Sequence, residues 1–219
     1  MITFEDIRNN EAIRAYITRA DESLLAQGFT EHSFAHVTHV AKTAAYLLAT
    51  LGYTEHEVEL VRIAGYLHDI GNLINREDHS QSGALMAFNI LSGMDMPPED
   101  LATVVTAIGN HDEGTGVPVN AVAAALILAD KSDVRRSRVR NSDVTNFDIH
   151  DRVNYSIRKS ELRINEEHTV VKLDLTIDTA YGAVMDYFEI FLDRMILCRK
   201  AAERLGMRFK LIINGQALI

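Results

Sequence analysis

The sequence predicts a mainly α-helical fold with a small β-β-α-β region at its C-terminal end. Apolar residues recur every three or four positions until about residue 140, which is the period of an amphipathic helix. After about residue 145 they alternate with polar residues, which is the period of a half-buried strand. The chain shows no internal repeat and has only three prolines, so there is little room for a linker. We therefore expect two regions packed on each other, residues 1–145 and 146–219.

The first region is predicted to contain helix after helix. Val37, Val40, Ala44 and Leu47 mark the buried stripe of one of them. Thr54 followed by Glu57 is typical of a capping box at the start of another, and Pro98 suits a first helical turn. The expected ranges are near 4–27, 33–51, 55–69, 79–92, 98–111 and 119–138.

The second region is predicted to form a small antiparallel sheet backed by one helix. Strict alternation marks strands in TVVKLDLTID and GMRFKLIING, and a weaker strand is expected within 153–164. A helix containing Cys198 lies between the last two strands, and its apolar phase predicts a buried, unreactive thiol. The Phe188–Phe191–Met195 face of that helix is either core or the contact of a homodimer, and both alternatives stay open.

Composition narrows the class of protein. The 219 residues are 47% hydrophobic and 24% charged, which is typical of a globular chain, and the net charge is −9. That acidity argues against general binding to nucleic acid or to an anionic membrane. No apolar run is long enough to span a bilayer, and MITFEDIRNNEAIRAY lacks the order of a secretory signal, so a cytoplasmic location is expected.

Histidines and aspartates at the inward ends of helices are the chemical signal. His36 lies about 60° from the centre of its helix's apolar stripe, nearer than His32 or His39. His68 continues the apolar phase of the next helix and is followed by Asp69. Asp130 ends the nearly all-apolar VNAVAAALILAD, where a carboxylate is costly to bury unless it pairs or binds a metal.

Two further histidines are candidates for the same site. His111 ends an apolar stripe just before a glycine-containing loop, and His79 opens a helix, where its alternative role is that of an N-terminal cap neighbour. Imidazoles and carboxylates without thiolates suit a hydrolytic transition-metal or magnesium-type centre. Structural zinc is a poor alternative because the chain has a single cysteine.

This pattern resembles the HD-domain superfamily of metal-dependent phosphohydrolases. His36 in HVTHVAKTA matches the first family histidine, LHDIGN matches the HD doublet, and Asp130 in LILADKSD matches the late aspartate. The similarity covers roughly residues 30 to 135 and implies an HD-type helical bundle. HDEGTGVP also bears some resemblance to the two-metal branch that cleaves cyclic dinucleotides. It departs from that branch at His111–Asp112, where the branch has paired histidines, and at Gly116–Val117–Pro118, where the branch has Gly-Tyr-Pro.

The resemblance implies one or two divalent metal ions (Mn, Fe, Mg, Ni, Co or Zn) and attack of metal-bound hydroxide on a phosphoester. His36, His68, Asp69 and Asp130 would hold the first ion, and His79 and His111 the second, bridged by Asp69. Asp69, Lys131 and Asp133 would be catalytic, and Lys131, Arg135 and Arg138 would contact the substrate phosphate. The substrate would be a nucleotide or other small phosphorylated metabolite, cleaved by phosphomonoesterase or phosphodiesterase chemistry.

An alternative function belongs to another class of protein. The helical region would bind metal and sense a ligand or act as a scaffold without turnover, and the C-terminal region would mediate assembly. Retention of every expected ligand position argues for the enzyme, because a site without turnover would be expected to lose some of them.

Overall fold

The computed structural model describes residues 2–141 and 143–218, with the side chain of Val144 excepted. Within them the chain forms nine α-helices and a four-stranded sheet, so the predicted mainly α fold with a small C-terminal sheet is confirmed. The sheet also makes the chain mainly rather than purely helical. The helices are α1 Phe4–Asn9, α2 Glu11–Ala26, α3 Phe34–Thr50, α4 Glu55–Leu67, α5 His79–Gly93, α6 Pro98–Gly109, α7 Ala121–Lys131, α8 Ile149–Ser156 and α9 Val184–Arg204. The strands are β1 Ile157–Ile164, β2 Val170–Ile177, β3 Arg208–Ile213 and β4 Gln216–Ala217.

The single helix predicted near 4–27 is two helices. Asn10 has an extended backbone, and its side chain accepts from the amides of Ala12 and Ile13. Asparagine competes for backbone donors in this way and is a preferred N-cap, so it starts α2 rather than continuing α1. Both helices still bury their apolar side, with Ile7, Ile13 and Ile17 in the core.

The helix predicted near 119–138 ends earlier, at Lys131. Ser132 donates its hydroxyl to the carbonyl of Ala129, and Arg135 has an extended backbone. Asp133, beyond the helix end, points inward and meets His36 Nδ1 at 2.7 Å. Only a three-residue 3₁₀ turn, Arg136–Arg138, follows.

α7 is the central helix of the bundle. Its residues from Val122 to Ala129 are all buried, and it contacts α3, α4, α6 and α9. The small side chains of AVAAALILA allow neighbours on every side to approach closely, and a helix that is apolar all round belongs in a core. No helix in the described ranges is long and apolar enough to cross a membrane.

The sheet departs from its predicted topology. Its order is β1-β2-β3-β4; β1 pairs with β2 and β3 with β4 in antiparallel fashion, but β2 and β3 run parallel. The expected all-antiparallel sheet is therefore wrong. α9 lies between β2 and β3 in the chain and forms the crossover connection between them. Parallel neighbouring strands require such a connection. The short helix α8 and the strand β4 had no clear sequence pattern.

The C-terminal region packs on the helical bundle through α9. Phe191, Met195 and Cys198 are all buried within the chain, and Phe188 is partly buried against the same core. Burial raises the pKa of the Cys198 thiol to about 12, so the prediction of a core thiol is confirmed. The predicted division into two domains at residue 145, and association into a homodimer, stay predictions.

Candidate metal centre

Four side chains from three segments converge on one point inside the bundle. His36 comes from the first turn of α3, His68 and Asp69 from the end of α4, and Asp130 from the last turn of α7. His36 Nε2 lies 3.3 Å from His68 Nε2 and 3.4 Å from Asp69 Oδ2 and from Asp130 Oδ1. His68 Nε2 lies 3.2 Å from Asp69 Oδ2 and 3.5 Å from Asp130 Oδ1. Donor atoms bound tetrahedrally to a metal at about 2.1 Å are about 3.4 Å apart, so the spacing suits an ion.

A second group adjoins the first. His79, from the start of α5, and His111, just after α6, are buried, and their Nε2 atoms lie 3.2 Å apart. His79 Nε2 is 3.6 Å from Asp69 Oδ1, while Asp69 Oδ2 faces the first group. The two oxygens of one carboxylate therefore point to the two groups, which is the arrangement of a bridging ligand. His79 is part of this cluster and is more than a neighbour of the helix cap.

The hydrogen-bond partners of the four histidines indicate which ring nitrogen of each could bind a metal. The Nδ1 atoms of His68, His79 and His111 meet the backbone carbonyls of Gly65, Arg76 and Ile108 at 2.8, 3.1 and 2.6 Å. The Nδ1 atom of His36 meets a carboxylate oxygen of Asp133 at 2.7 Å. These partners only accept hydrogen bonds, so each neutral ring carries its proton on Nδ1 and presents a lone pair at Nε2.

Lone pairs that face one another are repulsive unless a proton or a metal cation lies between them. Asp69 Oδ2 adds to this repulsion, because it is buried and has no hydrogen-bond partner among the described residues. The four imidazoles and two carboxylates therefore fit a divalent metal, and two groups of this cluster each have ligand atoms within 4.8 Å of one another: His36, His68 and Asp130, and His68, Asp69 and His111.

The electrostatics of the first group also favour positive charge. Burial opposes a charge on His68, but the carboxylates of Asp69 and Asp130 outweigh it and raise the pKa of His68 to about 10. Burial would likewise raise the pKa of Asp130, yet Lys131 and the histidines His36 and His68 hold that pKa well below its ordinary value. In the second group burial, reinforced by nearby positive charges, lowers the pKa of His111, so its neutral, ligating form dominates.

Asp133 supports the cluster from behind His36. Its side chain is buried, accepts from His36 Nδ1 and pairs with Arg135. Burial would raise the pKa of Asp133, but hydrogen bonding from His36 and the charge of Arg138 lower it, so the carboxylate is ionised. It faces the nitrogen of His36 that points away from the cluster, and it therefore positions the imidazole ring of His36.

A cavity of about 310 Å³ opens onto both groups. Asp69, His79, His111 and Asp130 form part of its wall, and its size is at the lower end of the range for small-molecule sites. The helices α8 and α9 of the C-terminal region complete the wall with Asn154, Ile190, Phe191 and Arg194.

Of the predicted phosphate-binding cations, Lys131 and Arg138 line this cavity and Arg135 does not. Because α7 ends at Lys131, the basic residues after it do not share one helix face. Arg135 instead holds Asp133, with Nη2 at 2.9 Å from Oδ2. Arg138 is buried and donates to the carbonyls of Glu31 and Asp133, at 2.8 and 2.7 Å.

Sequence reasoning missed several charged residues of the cavity, among them Glu113 and Arg194. Glu113 receives Lys131 Nζ at 2.6 Å and Arg194 Nε at 2.8 Å, and Lys131 also reaches Asp130 Oδ2 at 2.8 Å. The signal for Arg194 was present, because an arginine stands in the apolar phase between Phe191 and Cys198. For Glu113 the only signal in the sequence was its position two residues after His111.

Residues 33–135 match the family model described as HD domain. Over 191 residues the chain is 22% identical to the uncharacterized protein MJ1020 of Methanocaldococcus jannaschii. This similarity covers 76% of this chain and 73% of that protein. A predicted HD superfamily hydrolase from an uncultured Thermotogales bacterium has a solved structure that is 22% identical; the similarity covers 62% of this chain and 75% of that one, with a TM-score of 0.44. The prediction of an HD domain is confirmed for residues 33–135.

Proposed function

We propose, from the HD domain that residues 33–135 form, that the protein is a metal-dependent phosphohydrolase acting on a small phosphorylated metabolite such as a nucleotide. The observation that carries the proposal is the convergence of four imidazole lone pairs and two carboxylates on the wall of a small cavity that also contains cations. Imidazole and carboxylate ligands suit the divalent ions that catalyse hydrolysis.

His36, His68, Asp69 and Asp130 would hold one divalent ion, and Asp69, His79 and His111 a second. Such ions lower the pKa of bound water and neutralise charge on phosphoryl oxygens. In the proposed reaction water adds to phosphorus, the P–O ester bond breaks, and the alcohol departs with a proton.

Other residues of the chain would prepare the site for this reaction. Asp133 keeps His36 in the ligating tautomer, with 2.7 Å between its Oδ2 and Nδ1. Lys131 pairs with Asp130 Oδ2, which leaves Oδ1 directed at the histidines. Its ammonium group also adds positive charge to the cavity wall, where a phosphate dianion would need it.

The size and charge of the cavity support a small substrate. About 310 Å³ accommodates a metabolite but not a polymer strand, and the chain's net charge of −9 opposes binding to a nucleic acid surface. Phosphomonoesters and phosphodiesters of this size are both compatible with the proposal.

Metal analysis is the first experiment. We expect the purified protein to contain divalent metal, and we expect His68→Ala and Asp69→Ala to lose most of it, because each removes a ligand atom. Lys42→Ala is the control, since Lys42 lies on the same helix as His36 but has an exposed side chain and does not line the cavity. Unchanged metal content in both ligand variants would refute the assignment of the site.

A substrate screen is the second experiment. Nucleotides, phosphomonoesters and cyclic dinucleotides would be incubated with the protein and manganese, and phosphate or product nucleotide measured. We expect turnover of at least one ester by the wild type and its loss in Asp69→Ala. Metal binding without turnover of any ester would support a ligand-sensing or scaffold module instead.

A further inference from the structure

Four cationic side chains line the cavity beside the metal cluster: Arg76, Lys131, Arg138 and Arg194. The ammonium of Lys131 lies between the carboxylates of Asp130 and Glu113. Arg138 uses Nε and Nη1 on two backbone carbonyls, and Arg76 uses Nη1 on Asn72 Oδ1 at 3.2 Å. Each of these three side chains therefore has at least one donor already bound by the protein.

Arg194 differs from the other two arginines at its terminal nitrogens, because Arg76 and Arg138 each already use Nη1. It comes from α9 and is anchored only through Nε, which donates to Glu113 Oε1 at 2.8 Å. Among the described residues, no protein atom accepts from Nη1 or Nη2. The guanidinium also lies over the ring of Phe191, 4.5 Å from its centroid, and about a fifth of the side chain is exposed.

Glu113 fixes this guanidinium relative to the metal cluster. One of its oxygens binds Arg194 and the other binds Lys131, whose ammonium also binds Asp130. Arg194 is thus linked to a metal-ligand carboxylate through two shared ion pairs. A planar guanidinium held by Nε and by an aromatic face, with two adjacent N–H groups available, is prepared for bidentate binding of a phosphate.

We propose that Arg194 is a substrate-binding residue that receives the phosphate group of the substrate, and that the C-terminal region thereby supplies part of the active site. The proposal rests on the function proposed above and names its substrate class: a small phosphorylated molecule whose anionic group reaches α9. It also moves the contact with phosphate from the basic segment after α7 to α9.

The experiment uses inorganic phosphate as the probe and the full-length, metal-loaded protein. Isothermal titration calorimetry would compare the wild type with Arg194→Gln, whose amide retains a donor for Glu113. We expect the dissociation constant for phosphate to rise about ten- to hundredfold, the usual cost of a lost charge-assisted contact, while metal content stays unchanged. Arg199→Gln is the matched control, because Arg199 is exposed on the same helix, and we expect no change there.

Arg194→Lys is the second variant, and it carries the test if Arg194→Gln does not fold. Lysine retains the positive charge and the pairing with Glu113 but loses the two-pronged geometry, so an intermediate loss of phosphate affinity is expected. Unchanged phosphate affinity in a folded, metal-loaded variant would overturn the proposal, and so would the absence of phosphate binding by the wild type.

The outcomes separate this inference from the proposed function. Phosphate binding that depends on Arg194, in a protein that hydrolyses no ester, would support the inference and count against the hydrolase. Hydrolysis with the same KM and phosphate affinity in Arg194→Gln as in the wild type would support the hydrolase and overturn the inference. A raised KM with unchanged metal content would support both.

Discussion

At the scale of single residues, the orientation of each histidine depends on an acceptor behind it. Three of the four cluster histidines use a nearby backbone carbonyl, three residues before the ring in the chain. His36 has no such carbonyl partner and uses Asp133, which is 97 residues away in the chain. Its orientation is therefore the one that depends on tertiary structure.

Asp133→Asn is predicted to weaken metal binding without removing a ligand. An asparagine side chain that turns its NH₂ group toward His36 Nδ1 favours the tautomer protonated at Nε2, which cannot ligate. Loss of such a supporting acceptor typically costs about 10- to 100-fold in metal affinity. Calorimetric titration of the metal-free protein with manganese would measure the change.

Asp174→Asn is the control for this substitution, because Asp174 lies on β2, away from the cavity lining. An Asp133→Asn variant with wild-type metal affinity would show that Asp133 does not control the tautomer of His36. Circular dichroism would verify that both variants are folded.

At the scale of elements, the cluster depends on how closely the segment after α4 approaches α5. Residues Ile70–Leu73 form a 3₁₀ turn, and a Cβ atom at Gly71 would overlap the carbonyl oxygen of His79 and the amide of Gly83. Gly71 has no positive φ, so it is needed for close contact rather than for an unusual turn. This contact brings His79 within reach of Asp69.

Gly71→Ala is therefore predicted to destabilise the fold and to disrupt the second histidine group. The added methyl meets backbone atoms on α5, which cannot move aside as a side chain would, and we expect a loss of about 3 kcal/mol in the free energy of unfolding. Urea denaturation would measure the loss, and metal analysis would reveal any change in the number of ions bound.

Gly93→Ala is the matched control, since Gly93 is a residue of α5 with nothing within 4 Å of its would-be Cβ. Alanine there is expected to leave the free energy of unfolding unchanged or to raise it slightly, because alanine has a higher helix propensity than glycine. Equal stability of Gly71→Ala and Gly93→Ala would contradict the close-contact argument.

At the scale of the whole molecule, the C-terminal region covers the central helix of the bundle. α9 packs against α7, whose residues from Val122 to Ala129 are buried on all sides, and also against β2 and β3. It thus joins the apolar face of the sheet to the core of the HD domain. The same helix places Arg194 in the cavity.

A chain shortened to residues 1–145 is predicted not to fold stably. Without α9 one side of the apolar helix α7 would face water, and Glu113 would lose its partner Arg194. We expect low solubility or the absence of a cooperative thermal transition, measured by circular dichroism beside the full chain. A soluble 1–145 fragment that melts cooperatively would show that the first region is an independent domain.

The convergence of the cluster residues could be predicted from the sequence because each signal was local. The phase of His36 against its apolar stripe, the HD doublet at the end of a helix and a carboxylate at the end of an all-apolar helix depend on 3.6 residues per turn and on the cost of burying charge. The same local physics predicted the helices other than α8 and the break at Asn10, the three longer strands and the buried thiol of Cys198.

Only the tertiary structure decided which charged groups face the cavity. Glu113 and Arg194 are 81 positions apart, and the parallel pairing of β2 with β3 joins strands separated by the whole of α9. Helical phase shows that a side chain points inward but does not show which partner it meets. Charge pairing between distant segments placed Arg194 on Glu113 at the cavity wall, because each buried ion must find a counter-ion that only the packed chain supplies.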